Sequence, residues 1–474
     1  MLARCDSTLD SVVARAQLDG PVRIVGSPLA VVCSATLDSR AVVPHSLYFC
    51  VRGRSHDGHA FAREAVAAGA SAIVVDHQLD AEVSQVLVDD VRRATGPLSC
   101  ALYGHPSHRL RVVGVTGTNG KTTSVSLIAA ILRQAGRPVA TIGTLTGSFT
   151  TPEAPVLQAQ LASFADSGVT DVVMEVSSHA LDQHRVDGMR FAAAVFTNLS
   201  QDHLDLHGTM DAYFAAKARL FSSSFTPLAV LNGDDEWVRN LTTTDLRRAT
   251  FSTGDISEVE VLPHRIRMRW RGRLLEVPMG GAFNVANVLA AATTASALGV
   301  ADDDIVGALA RVAPVPGRFE SIVEGQSFHV IVDYAHTPDG LHSVLATARA
   351  AASGGRLLVV FGCGGDRDRA KRPLMGQVAA ETADLAIVTS DNPRSEDPQS
   401  IIDEILAGMP NEALARVRVE QDRAIAIETA LRIAHPGDVV VVAGKGHETT
   451  QTIGEQVIEF DDREVVRTVL ARLR

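Results

Sequence analysis

Two kinds of apolar pattern alternate along most of this chain. Short unbroken apolar runs, the mark of strands buried on both faces, are separated by longer stretches whose apolar residues recur three and four positions apart. The runs at 46–51, 71–75, 111–115, 171–176, 192–197, 328–332, 357–361, 385–389 and 439–443 predict strands. The stretches at 60–68, 124–134, 213–221 and 284–298 predict helices. Alternation of this kind predicts an α/β protein with mainly parallel sheets flanked by helices. One segment breaks the pattern. Between 259 and 278, Arg265-Ile-Arg-Met-Arg-Trp270 alternates polar with apolar side chains, which predicts a half-exposed antiparallel hairpin.

A chain of 474 residues is too long for one core. Turn signals at Tyr103-Gly-His-Pro-Ser107 and Pro314-Val-Pro-Gly317 suggest where it divides. The expected units are a small N-terminal α/β domain (1–106), a central phosphate-loop domain with a mainly parallel sheet (107–315) and a C-terminal doubly wound, Rossmann-like domain (316–474).

Composition narrows the class. Apolar content of 46% with 21% charged residues is that of an ordinary globular protein. A net charge of −11 argues against a general nucleic-acid binder. Long apolar runs and a basic-then-apolar N-terminus are both missing, so neither a membrane span nor a secretion signal is expected, and the location expected is cytoplasmic. Cys5, Cys33, Cys50, Cys100 and Cys363 are scattered without paired spacing and read as reduced thiols.

The sharpest chemistry lies at Gly117-Thr118-Asn119-Gly120-Lys121-Thr122-Thr123, between a predicted strand and a predicted helix. A glycine-rich turn into a helix N-terminus aims unpaired N–H groups and the positive end of the helix dipole at one point, which makes a seat for phosphates. Lys121 would reach the β- and γ-phosphates, and the Thr122 hydroxyl would sit on Mg²⁺. A nucleoside triphosphate and Mg²⁺ are therefore the expected ligands. Val115 stands where the strict Walker pattern has its first glycine.

Other residues carry weaker signals. Glu175 ends a buried strand, where a carboxylate needs a partner. Beside a phosphate loop that partner is a divalent cation; elsewhere it would be a cap or a salt bridge. His203 follows another strand and could ligate a second cation or be an ordinary histidine. Lys217 reads as a lysine on a solvated helix face. Asp333 follows a strand end, where an acid suits ribose or phosphate. Arg394, in Asp391-Asn-Pro-Arg394, has a fork suited to a carboxylate or is a plain turn arginine. Gly444-Lys-Gly-His-Glu448 has the small residues of a loop approaching a ligand.

Together these segments resemble the Mur ligases, ATP-dependent enzymes that add amino acids to the nucleotide-linked precursor of bacterial peptidoglycan. The phosphate loop Thr116-Gly-Thr-Asn-Gly-Lys-Thr122 is of that family's kind, which accounts for Val115. The resemblance runs on through Leu37-Asp-Ser-Arg40, Asp57-Gly58, Thr150-Thr-Pro152, Met174-Glu-Val-Ser-Ser-His179, Thr197-Asn-Leu-Ser200, Gly281-Ala-Phe-Asn284, Pro316-Gly-Arg318, Asp333-Tyr-Ala-His-Thr-Pro338 and Gly444-Lys-Gly-His-Glu448.

The resemblance implies one domain each for the UDP end of the substrate, for ATP and for the incoming amino acid. It implies that Leu37, Ser39, Arg54, Ser55 and His56 hold the UDP moiety, and that Thr150, Thr151, Ser177, Gln183 and Arg185 hold the muramoyl dipeptide. Thr122, Glu175 and His203 would be Mg²⁺ ligands, and Asn284, Arg318 and Asp333 would contact ATP. Lys217 falls on the lysine that the family carbamylates. Asp391, Asn392, Pro393 and Arg394 resemble the motif of members that add meso-diaminopimelate, with Arg367, Gly444 and Glu448 as further contacts.

The expected reaction makes an acyl phosphate on the dipeptide's D-Glu carboxylate, which the amine of diaminopimelate then displaces. The expected enzyme is a monomer acting on small molecules. Phe149 departs from the pattern, standing where the family often has Asn. Rival readings are a ligase for L-lysine or another amino acid, a folylpolyglutamate-synthase-like enzyme, and a phosphate-loop kinase or regulatory module without ligation.

Overall fold

Residues 7–53, 56–147, 149–352 and 354–473 are described by the structure, a computed structural model. Successive stretches of chain build three main sheets. The first has five strands in the spatial order Arg23–Val25, Ser84–Leu87, Ala70–Val75, Ser46–Phe49, Ser34–Thr36, parallel except at the edge strand Arg23–Val25. The second has six parallel strands in the order Arg247–Phe251, Leu228–Asn232, Ala193–Phe196, Arg111–Thr116, Asp171–Glu175, Val139–Ile142.

The unbroken apolar runs follow from burial on both sides of this sheet. Val113, Val115, Val173 and Val195 face one core with the helices Lys121–Gln134 and Phe283–Ala297. Their neighbours Val112, Val172, Met174, Ala194 and Phe196 face a second core. Val115 is fully buried in the first, so the position where a glycine was missing is still strand.

The third sheet has the order Glu320–Ile322, His329–Asp333, Val439–Ala443, Leu357–Phe361, Leu385–Val388, Val417–Val419, antiparallel only at Glu320–Ile322. It too is buried on both faces. In the second and third sheets the order reverses beside an early strand, and ligands bind at carboxyl ends of strands at such a reversal.

Several expectations shift in detail. The stretch 259–278 belongs to a three-stranded meander, Ile256–Leu262, Arg265–Trp270 and Arg273–Val277, rather than one hairpin. Ile266, Met268 and Trp270 pack into the central core while Arg267 and Arg269 face solvent. The helix after the phosphate loop begins at Lys121, not Ser124, because the loop residues themselves form its first turn. The expected helix at 60–68 is a 3₁₀ turn, Gly58–Phe61, continued by the helix Ala62–Ala67. That at 213–221 is the helix Met210–Ala218 followed by the 3₁₀ turn Arg219–Phe221.

The reading of five reduced thiols is corrected at Cys33, which is disulfide-bonded; Cys5 lies outside the described residues. Scattered spacing carries no information on which cysteines the fold brings together. Cys50, Cys100 and Cys363 are free and buried. Among the described residues no helix is long and apolar enough to cross a membrane.

The loops of the third sheet are tied from below by a fully buried ion pair. Arg423 Nε and Nη2 donate to the two oxygens of Asp462, each at 2.8 Å. The same guanidinium reaches the carbonyls of Ala443 (2.9 Å) and Ser390 (3.3 Å), just past two strand ends. Removing one partner of such a pair strands a buried charge. Asp462→Ala should therefore lower the stability of the C-terminal part by about 3–5 kcal/mol, read as a shifted urea midpoint.

The free thiols give a second check. Burial pushes the thiols of Cys50 and Cys363 up to about 12 and also raises that of Cys100. Iodoacetamide at mildly alkaline pH should leave these three unlabelled in native protein and alkylate them only after unfolding, as mass spectrometry of peptides would show.

Candidate active site

The phosphate loop is shaped by contacts its own sequence does not reveal. Gly117 and Gly120 have positive φ (147° and 83°), and a Cβ on either would collide with a neighbour, Thr197 Oγ1 or Asn287 Oδ1. The segment Thr197 to Ser200 lies along the loop as a splint. Asn198 accepts the N–H of Thr118 with its carbonyl and that of Asn119 with its side chain, both at 2.9 Å. Thr197 Oγ1 donates to the Asn119 carbonyl at 2.6 Å, and Thr118 Oγ1 to the Ser200 carbonyl at 3.1 Å. Two of the loop's N–H groups are thus already used. The first-turn amides of the helix at Lys121 remain to receive an anion. Thr123 is buried in the helix's inner face.

Lys121 is placed differently from its expected reach toward phosphates. Its Nζ curls back onto the carbonyls of Gly117 (2.8 Å) and Thr118 (2.7 Å). Lys217, expected on a solvated face, is almost completely buried and donates to the same Gly117 carbonyl at 2.9 Å. Its amine also lies over the Tyr213 ring, 4.5 Å from the centroid. Burial first, and the neighbouring Lys121 second, hold the Lys217 amine well below its ordinary pKa. Burial likewise lowers Lys121, against the pull of Glu175 and Asp202. Two amines thus meet at one dry carbonyl, an arrangement that disfavours charge on both.

Glu175 joins the loop to the next segment. One carboxylate oxygen accepts the Thr122 hydroxyl at 3.1 Å, and the other accepts the Thr144 N–H at 2.8 Å. His203 stands on the other flank at positive φ (54°), with Nε2 3.4 Å from Asp202 and its ring 5.0 Å from that of His179. Burial holds its imidazole below the usual pKa, so its lone pair is free near neutral pH.

The muramoyl set also converges here. Thr150 Oγ1 meets Thr144 Oγ1 at 3.2 Å. Thr151 Oγ1 donates to the Glu175 carbonyl (2.9 Å) and accepts the Ser177 N–H (3.1 Å), while Ser177 caps the helix Ser178–Asp182. Arg185 donates to the Thr151 carbonyl at 2.9 Å and pairs with Glu153 at 3.0 Å. Glu153 is also bound by Arg92 from the N-terminal sheet's helix, at 2.7 Å. Phe149, 59% exposed, lies under the Arg185 guanidinium. Gln183 is directed to Asp182 (3.2 Å).

On the first sheet's side, Ser39 opens a 3₁₀ turn capped by Asp38, and His56 lies near Phe61. Among the described residues no hydrogen bond links Leu37, Ser39 or His56 to the muramoyl set. Arg54 and Ser55 lie outside the described residues.

From the third sheet, Arg318 crosses to the phosphate loop. Its Nη2 donates to Thr122 Oγ1 at 3.1 Å, and its guanidinium stacks on Tyr334 at 4.3 Å. Asp339 makes a second crossing, accepting from Ser200 Oγ (2.9 Å) and Asn119 Nδ2 (3.2 Å). Two expected ATP contacts stand behind the surface instead. Asp333 is buried and spends its oxygens on the N–H groups of Phe319 (2.6 Å) and Ala335 (2.7 Å), which fixes the turn that carries Arg318. Burial raises its pKa. Asn284 is fully buried and bonded to Gly280 and Asn287, and it is Asn287 that touches Gly120.

The remaining residues gather at the carboxyl edge of the third sheet. Asn392 Nδ2 donates to Glu448 Oε2 at 2.8 Å. The buried Lys445 donates to Glu448 Oε2 (3.1 Å), to Asn392 Oδ1 (3.3 Å) and to the Thr450 carbonyl (2.6 Å). Gly444 packs directly on the Asp391 carboxylate, and Pro393 is buried beside it. Arg394 is half-buried, with Nη1 on the Gly365 carbonyl at 2.6 Å. Arg367 is exposed on the adjoining loop. Sequence reading missed Asn198, Asn287, Asp339 and Lys445. Thr197-Asn-Leu-Ser200 had drawn notice as a motif without any role for Asn198.

Comparison with known proteins fits this geometry. Residues 33–98 match the model described as Mur ligase family, catalytic domain; 115–295 match the Mur ligase middle domain; 317–446 match the Mur ligase glutamate ligase domain. A Geobacillus kaustophilus protein named UDP-N-acetylmuramoyl-L-alanyl-D-glutamate–2,6-diaminopimelate ligase is 48% identical over 464 residues, 92% of this chain and 94% of its own. A relative of the same name from Syntrophomonas wolfei is 44% identical, over 91% and 93%. A solved structure of that name aligns over 99% of both chains at 33% identity, with a TM-score of 0.68. The fold is shared with a Mycobacterium tuberculosis folylpolyglutamate synthase solved with ADP and AMPPCP, at 19% identity, a TM-score of 0.59 and 81% and 94% coverage. With three family models in order along it and close relatives spanning nearly all of it, the chain belongs to the Mur ligase family.

Proposed function

We propose that this chain is an ATP-dependent amide ligase that joins meso-2,6-diaminopimelate to the D-Glu carboxylate of UDP-N-acetylmuramoyl-L-Ala-D-Glu in peptidoglycan synthesis. The observation that carries the reading is a phosphate loop crossed by Arg318 and Asp339 from the C-terminal part, whose strand-end loops also carry Arg394. The relatives' shared name and the nucleotides bound to the folylpolyglutamate synthase support the substrate set. Residues 1–106 would hold the UDP end, 107–315 ATP and the dipeptide, and 316–474 the amino acid. One chain supplies every residue of the set, so a monomer suffices. A cytoplasmic location follows from the need for ATP.

The residues perform distinct tasks. The free first-turn amides at Lys121 bind phosphate oxygens, and Lys121 swings from its own loop's carbonyls onto them. Thr122 and Glu175 bring two hard oxygen donors together, which would suit Mg²⁺, and His203 on the other flank would be a ligand to a second cation. A cation held there would offset charge on the transferring phosphoryl group. Burial and the neighbouring Lys121 disfavour the ammonium form of Lys217, and the unprotonated amine would add CO₂ with loss of a proton to give a carbamate whose oxygens would be a further anionic ligand. Thr150, Thr151, Ser177, Gln183 and Arg185 orient the dipeptide so that its D-Glu carboxylate attacks the γ-phosphate in line. Closing the site against water would protect the acyl phosphate until the amine arrives.

Arg394 and Arg367 fork onto the distal carboxylate of diaminopimelate. Glu448 has Oε2 held by Asn392 and Lys445, which leaves Oε1 for the distal ammonium. L-Lysine offers no distal carboxylate and would leave Arg394 without its partner, a cost that separates the two amino acids.

Phosphate release with the UDP-linked dipeptide should proceed with meso-diaminopimelate and be weak with L-lysine; equal turnover with both would sink the assignment. Arg394→Ala should raise the diaminopimelate KM by about 10- to 100-fold and leave the ATP KM little changed. A parallel rise in both would make Arg394 structural. Lys217→Met should lower kcat by roughly 100-fold or more. ¹³C-bicarbonate should give the native enzyme a carbamate resonance that Lys217→Met lacks, and full activity without that resonance would rule the carbamate out.

A further inference from the structure

The loops 362–367 and 391–396, which follow the strands Leu357–Phe361 and Leu385–Val388, meet through a side chain with no part in the chemistry above. Arg372 lies in the first turn of the helix Lys371–Thr382 and is 0% exposed. Its guanidinium forks onto Glu396, with Nη1 on Oε2 at 2.9 Å and Nη2 on Oε1 at 2.8 Å. Nη1 also reaches Glu404 (2.8 Å), and Nη2 the Gly364 carbonyl (3.3 Å).

Glu396 passes the contact on. Its Oε1 accepts the Asp366 N–H at 2.6 Å, and the Asp366 carboxylate accepts the Ser395 hydroxyl (2.6 Å) and N–H (3.2 Å). The Gly365 N–H donates to the Asn392 carbonyl (2.9 Å), and the Gly365 carbonyl takes Arg394 Nη1. Asp366 and Arg394 both stand at φ 53°, a backbone state that persists only where its surroundings over-determine it. A planar fork can fix two loops at once, which a flexible lysine cannot. A buried pair of this kind adds little net stability over an apolar replacement, and its value lies in the geometry it imposes.

We infer that Arg372, acting through Glu396, is the positioning residue that sets the Arg394 and Arg367 loops at the spacing needed to select the amino acid. The inference rests on the proposed assignment of Arg394 to a distal carboxylate. The hydrogen bonds from Arg372 also hold the Glu396 carboxyl down at about 2, so the clamp persists across the pH range of any assay.

The test compares Arg372→Lys and Glu396→Gln with the native enzyme, well below each variant's Tm. Arg372→Lys keeps the charge and loses the fork; it should raise the meso-diaminopimelate KM by about tenfold or more with an unchanged ATP KM. The ratio of kcat/KM for meso-diaminopimelate over L-lysine should narrow in step, with Glu396→Gln, which keeps half the fork, in between. A lower Tm with native amino-acid KM and native ratio would make the pair a stabilising contact only and overturn the inference. So would an equal rise in both KM values. If Arg372→Lys does not fold, the near-isosteric Glu396→Gln decides alone. If the native enzyme itself uses L-lysine as well as diaminopimelate, the proposed function fails; the KM for its preferred amino acid in the same variants still decides the role of Arg372.

Discussion

A hydrogen bond of 3.1 Å between Arg318 Nη2 and Thr122 Oγ1 is the contact on which the bipartite site depends. Amide formation from a carboxylate needs phosphate chemistry and amine delivery at one place, and the proposed assignment puts them on different sheets. Neither strand-end site is sufficient alone. Arg318 is aimed by Asp333, whose oxygens hold the backbone on either side, and by the Tyr334 ring beneath it. Asp339 adds a second crossing to Asn119 and Ser200.

Burial is the second organising constraint. Lys121 and Lys217 converge on one carbonyl, and desolvation lowers the pKa of both. The buried arginines show the complementary case. Arg372 and Arg423 stay charged at full burial because carboxylates meet them fork to fork. Each also donates to carbonyls near strand ends, Arg372 to Gly364 and Arg423 to Ser390 and Ala443.

Much of the fold was legible because a strand buried on both faces must be apolar at every position. The runs at 357–361 and 439–443 match the observed strands Leu357–Phe361 and Val439–Ala443 residue for residue. Boundaries at caps were less legible. Nothing in the pattern says that the helix starts at Lys121, since that depends on Asn198 drawing in the loop ahead of it. The disulfide at Cys33 was missed because pairing across distance leaves no local mark.

What the sequence by itself determined is the kind of chemistry. A glycine-rich turn between a strand and a helix makes an anion seat from backbone geometry alone, and Asp391-Asn-Pro-Arg394 puts a guanidinium on a rigid turn. Only the tertiary structure decided the working state of those groups. Lys217 became a buried amine, Asn284 and Asp333 became supports for Asn287 and Arg318, and Arg394 was joined to Gly365. The physical reason is that charge state and aim are set by desolvation and by partners far away in sequence. Residue type and local spacing carry neither.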